Sequence, residues 1–235
     1  MELSFKTLSA KIVLSKITAM ILSSRIVLKI LESKKSSSRI IMISGALTLL
    51  LLFVLPLWNI QLEAPQYPIP LGLDIYIHKF ADEAPNDIMN INLLNHYVGM
   101  KKIPEHIPEF DIFPLVIITM SLLGVIVGLA GKHKLYLGWL IVMMILCFAG
   151  LYDFYQWEYD YGHNLDPHAI LKFTNEDGTA MGFQPPVLGT KHILNFVANS
   201  YPASGGYALF VSLMLAFTSY KLGSAGFKEE KDNTK

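Results

Sequence analysis

Four long apolar runs, separated by two long polar stretches and one very short one, decide most of what this chain can become. They are 40–58 (IIMISGALTLLLLFVLPLW), 112–130 (IFPLVIITMSLLGVIVGLA), 135–152 (LYLGWLIVMMILCFAGLY) and 203–222 (ASGGYALFVSLMLAFTSYKL). About 20 residues at roughly 1.5 Å each cross a hydrocarbon core of about 30 Å. A backbone surrounded by lipid must satisfy its own hydrogen bonds, so each run is expected to be a helix. None carries a charge at its centre. The short turn GKHK at 131–134 forces the second and third helices into an antiparallel hairpin. With 52% apolar and only 16% charged residues, the chain is far from an average soluble domain. The expected fold class is an all-α membrane protein: four transmembrane helices in a membrane domain over 39–222, with two long extracytoplasmic loops, 59–111 and 153–202.

Lysine and arginine set the orientation. Eight lie in the first 39 residues, among them Lys6, Lys11, Lys16, Arg25, Lys29 and Arg39, and four lie in the tail 223–235 and just before it (Lys221, Lys228, Lys231, Lys235). The two long loops carry few cations and fourteen of the nineteen acidic residues. Both termini are therefore expected in the cytoplasm of a bacterial inner membrane protein, and both long loops outside. The arm 1–38 has no uncharged stretch long enough to span. Lys11, Ser15, Thr18, Arg25 and Lys29 share one helical face, and Val13, Ile17, Met20, Ile21, Leu28 and Leu31 the other. That is the pattern of a basic amphipathic helix on an anionic membrane surface.

The halves share a pattern that suggests a tandem two-helix repeat. Trp58 and Trp157 follow or end the first and third runs. Leu94-Asn95 and Leu194-Asn195 lie at matching distances beyond them, and Pro104 and Pro202 come next. A duplication would bring the two outer loops together as one cap.

Several function classes are excluded or disfavoured. Net charge is zero, so no global field attracts nucleic acid. The single cysteine, Cys147, lies in an apolar run and reads as a core residue. Without CxxCH there is no covalent c-type haem. No phosphate-binding glycine loop, HExxH or GxSxG is present. No histidine lies mid-span to hold a b-type haem, and no mid-span carboxylate suggests a proton-driven transporter.

What remains is in the loops, which hold six of the seven histidines. Imidazole is the commonest side-chain metal ligand. In INLLNHYVGM at 91–100, expected to be a short helix, His96 and Met100 are four residues apart and would share a face. Imidazole with thioether suits copper. His163 and His168 in GHNLDPH at 162–168, and His192 further on, are the candidate partners from the second loop. The plainer reading is an interfacial helix and an Asp-Pro turn. LDIYIHK at 73–79 alternates and suits a short strand. Tyr152, Tyr155, Trp157, Tyr159 and Tyr161 read as an aromatic belt at headgroup level, or else as a platform for a partner or a quinone ring.

The strings EAPQYP (63–68), NHYVGM (95–100), IPE (107–109), GLYDFYQWEYDYGHNLDP (150–167) and QPP (184–186) resemble those of the NosB-like polytopic membrane proteins associated with clade II nitrous oxide reductase in Bacteroidota-type nos clusters. The resemblance covers about residues 45–215. It implies a supporting role in periplasmic nitrous oxide respiration and leaves open whether the protein is an enzyme. Such a protein would dock or mature the copper-containing reductase on the outer face of the inner membrane. It supplies no catalytic motif to transfer. Two other readings stay open: a quinol-linked electron-transfer subunit, and a structural membrane anchor with no ligand.

Overall fold

The computed structural model describes residues 34–175, 178 and 181–233. The expected amphipathic arm lies almost wholly outside them. Four helices are long and apolar enough to cross a membrane: α1 (Lys34–Phe53), α3 (Glu109–Ala130), α4 (His133–His163) and α5, whose spanning part is Ser204–Phe227. α1 is helical from Lys34 on and closes in a 3-10 turn over Leu49–Phe53. It therefore ends before Trp58, five residues short of the run read from hydropathy. α5 continues to Asn233, through the residues expected to form a separate tail.

The helices meet through small residues and hydroxyls. A Cβ at Gly124 would lie 2.6 Å from the Ala46 Cβ, and one at Gly128 2.6 Å from Ile43 Cγ1, so α3 rests directly on α1. Ser121 donates to Ala46 O (2.9 Å) and Ser212 to Gly45 O (2.7 Å). Trp139 Nε1 donates to Met120 O at 2.9 Å. Lipid gives no hydrophobic drive to helix association, so close backbone approach and interhelical hydrogen bonds carry it. Met42, Leu49, Tyr136 and Met143 fill the core between the helices.

The molecule is not all-α. The connections on one end of the bundle fold into a five-stranded antiparallel sheet of order β3-β2-β1-β5-β4. The first connection contributes β1 (Trp58–Glu63), β2 (Leu71–Ile75) and β3 (Phe80–Asp82), followed by helix α2 (Asp87–Val98). The second contributes β4 (Gly189–Ile193) and β5 (Phe196–Pro202). The two connections join where β1 pairs with β5, in the register Ile60↔Ser200 and Leu62↔Ala198. The alternating stretch at 73–79 is a strand only as far as Ile75; Tyr76 N donates to Lys79 O and turns the chain into β3.

Side chains alternate across a strand, and here the two faces differ in chemistry. Ile60, Leu62, Leu73, Ala198 and Ile193 lie on one face. Asn59, Gln61, Asp74, Asn199 and Thr190 lie on the other. The polar face is cross-linked by its own side chains: Asn59 Nδ2 donates to Asp74 (2.8 Å), Gln61 to Glu83 (3.0 Å) and Asn199 to Glu63 (2.9 Å). The apolar face packs on α2 and the end of α4. Asp87 fixes α2 to the sheet, its carboxylate accepting from Gly72 N (2.9 Å) and Ala84 N (2.8 Å).

The matching landmarks of the two halves fall in different structures. Trp58 opens a strand and Trp157 is helical. Asn95 is helical and Leu194-Asn195 is the β4–β5 turn. The halves are not copies of one local fold, although their connections do share one cap.

Candidate functional site

Helix α4 positions the site. At 31 residues and about 1.5 Å per residue it is about 46 Å long, well beyond a hydrocarbon core. Its apolar part ends near Tyr152, and the rest rises into the cap as helix, not as the loop expected from residue 153. Phe154, Trp157 and Tyr161 fall at helical spacing on one face of this extension. Trp157 stacks on Tyr161 (ring centroids 4.7 Å apart) and packs against Phe80 of β3 (5.6 Å). Tyr152, Tyr155 and Tyr159 point away and are exposed. The aromatic group is thus divided: part is an exposed girdle and part is the core of the cap.

Glu158 follows Trp157 on this helix and lines the same cavity as the two stacked rings. It is fully buried, and neither carboxylate oxygen has a hydrogen-bond partner. It lies six residues past Tyr152, about 9 Å further along the axis, with the sheet beside it rather than lipid. Glu158, Trp157 and Tyr161 line an apolar cavity of about 120 Å³, roofed by Leu62 and Leu73 of the sheet and walled by Val98. The segment 181–186 closes another side. Phe183 N donates to Gly162 O at 2.8 Å, and a Cβ at Gly162 would lie 2.4 Å from Gln184 N. Only glycine lets this segment cross α4 there and seat Phe183 and Pro185 at the cavity. Lys191, on the cavity side of the sheet, gives its ammonium to Gln184 O (2.9 Å).

The residues singled out for metal binding are placed as follows. α2 ends at Val98, and Gly99 at φ 82° reverses the chain with Met100 N on Asn95 O. His96 and Met100 are therefore not stacked neighbours on one helical face. His96 is exposed, while Met100 is packed among Leu73, Ile103 and Phe183 in the cap interior. His163 stacks on Tyr159 (4.2 Å), with Nδ1 3.0 Å from Tyr159 O. His192 is exposed, on the polar face of the sheet. His168 is exposed beside Asp166, whose Oδ1 accepts the His168 N–H at 2.8 Å.

One group does converge. Asp166 N donates to Gly99 O (2.8 Å) and Leu171 N to Tyr97 O (2.8 Å), which lays the second connection across the end of α2. The hydrogen bond from His168 N–H holds the Asp166 carboxyl below its ordinary range, and the nearby His168 and His96 act in the same direction. Among the described residues, no group of three His, Cys, Asp or Glu side chains is close enough to hold a metal ion.

The protein is thus mainly helical, with four apolar helices that suit a bilayer and a folded cap that holds an apolar cavity. No protein-family model matches the chain, and no curated protein matches it.

Proposed function

We propose that this protein is a membrane accessory subunit of periplasmic nitrous oxide respiration that docks the copper-containing reductase on the outer face of the bacterial inner membrane. The observation that carries the reading is the cap. Both long connections are ordered into one sheet whose polar face looks away from the helices and from the cavity. A rigid, pre-formed surface suits docking, because little conformational entropy is lost on binding. Glu63 and Glu83 are exposed on this face, so a partner with a basic patch would be steered to it. The sequence resemblance supplies the partner. Docking is preferred to copper delivery because Met100 packs in the cap interior, whereas His96 and His168 are exposed at the Asp166 corner and His192 lies on the polar face of the sheet.

Deleting the gene in its host tests the reading. Docking predicts that the reductase leaves the membrane fraction and that respiratory nitrous oxide uptake falls. Copper content, and activity with an artificial reductant, should be unchanged. Loss of copper from the reductase would replace docking with maturation. Unaltered respiration and membrane association would reject both.

A further inference from the structure

We propose that the cap cavity is a binding site for a single six-membered aromatic ring bearing a hydroxyl donor, of the phenol or hydroquinone type, with Glu158 accepting its O–H. The inference stands apart from docking, since it concerns the apolar side of the sheet.

Three features select this ligand. The first is size. The cavity is about 120 Å³, and an engineered cavity of about 150 Å³ accommodates benzene. One ring fits, whereas a fused bicyclic would force the walls apart.

The second is lining. The walls are aliphatic and aromatic, with Trp157 and Tyr161 offering ring contacts. Two other polar side chains at the cavity, Asn95 and Tyr161, are already engaged. Asn95 Nδ2 donates to Lys101 O (3.3 Å), and the Tyr161 hydroxyl donates to Lys102 O. An anion would meet Glu158, and a strongly hydrated cation would find too few oxygens.

The third is the unmatched carboxyl. Burial disfavours the charged form and, with Lys191 only partly opposing it, pushes the pKa of the Glu158 carboxyl up to about 8. Near neutral pH it is therefore mainly the neutral acid, enclosed with neither oxygen paired. A purely structural position would be better served by leucine or methionine. A hydroxyl donor entering the cavity gives Glu158 the hydrogen bond it lacks. Glu158 also lies just beyond the apolar part of α4, so a ring carrying an alkyl tail could reach it from the outer leaflet. A tail-less ring could reach it from water.

The test uses full-length protein in nanodiscs, with its three tryptophans replaced by 5-fluorotryptophan and the Trp157 resonance assigned from Trp157→Phe. Titration with unsubstituted hydroquinone should shift the Trp157 signal saturably and leave that of Trp139, in the bundle, in place. The dimethyl ether of the same ring, which has no donor, should bind at least about 10-fold more weakly, as expected for loss of a hydrogen bond to a carboxyl group. Glu158→Met, which removes the acceptor, should weaken the hydroquinone by a similar factor and not weaken the ether. A decyl-tailed hydroquinone separates the sources: tighter binding than the tail-less ring points to the membrane, weaker binding to the aqueous side. No saturable shift, or an ether that binds as well as the hydroquinone, overturns the proposal whether or not the variant folds.

Discussion

Trp58 Nε1 donates a hydrogen bond to Ser200 Oγ at 2.8 Å, across 142 residues of sequence. Ser200 is fully buried and passes its own proton to Val187 O at 3.1 Å. This bond lies on the β1–β5 seam, where the first connection meets the second. Through it the end of α1 and the start of α5 are tied to one structure. Gly205 N completes the junction by donating to Pro56 O at 2.8 Å.

Ser200→Ala should therefore loosen the cap more than an exposed serine would. It leaves the Trp58 N–H unpaired in a partly buried place, at a cost of about 1–3 kcal/mol. Trp58→Phe removes the same bond, and the double variant should cost less than the sum of the two. A double-mutant cycle on melting temperature in detergent measures this. Strict additivity would mean that the bond contributes nothing.

The bundle depends on glycine where α3 meets α1. Gly124→Leu should lower thermal stability by about 1–3 kcal/mol through overpacking, because even a Cβ would sit 2.6 Å from Ala46. Gly124→Ala, which adds only the Cβ, should also destabilise, and Gly138→Ala is its matched control. Nothing lies within 4 Å of a Cβ there, and alanine favours helix, so stability should hold or rise. Equal effects at the two positions would contradict the close packing.

The corner at Asp166 should titrate unusually low. Its carboxylate is stabilised first by the His168 N–H, so its folded pKa lies below the ordinary value of about 3.9. For an acid with a depressed folded pKa, the added stability is present above the unfolded value and disappears as pH falls through the folded one. The Asp166 side-chain carboxyl carbon resonance should therefore titrate with a midpoint below that of an aspartate in an unfolded peptide. A midpoint at or above 3.9 would mean the hydrogen bond is not formed in solution.

Hydropathy exposed the four helices because twenty apolar residues without a charge leave little alternative in lipid. It could not reveal the sheet. β3 has three residues and β2 five, and the central pairing joins residues about 140 apart, which no local pattern encodes. The helical stripe Phe154, Trp157, Glu158, Tyr161 was present in the sequence. Charges and the turn residues Gly162, Asn164 and Pro167 masked it and made the end of α4 read as loop. The histidines drew attention through their chemistry, yet four of the candidate positions, His96, His163, His168 and His192, are exposed and only Met100 reaches the interior. The signal for the cavity was a carboxylate embedded in an aromatic stripe at helical spacing, which is costly to bury without purpose.

Both connections build one cap through the β1–β5 seam, and a disulfide placed across that seam is the sharpest check of it. Gln61 and Asn199 are direct partners on the polar face. Opposed Cα atoms in such a pair are about 4.5–5.5 Å apart, within disulfide range. In a Cys147→Ala background, Gln61→Cys with Asn199→Cys should form the bond under mild oxidation in native membranes, read as a linked peptide by mass spectrometry. Gln61→Cys with His133→Cys, whose second site lies at the opposite end of α4, should not. Efficient labelling of both free thiols at 61 and 199 without any cross-link would contradict the account.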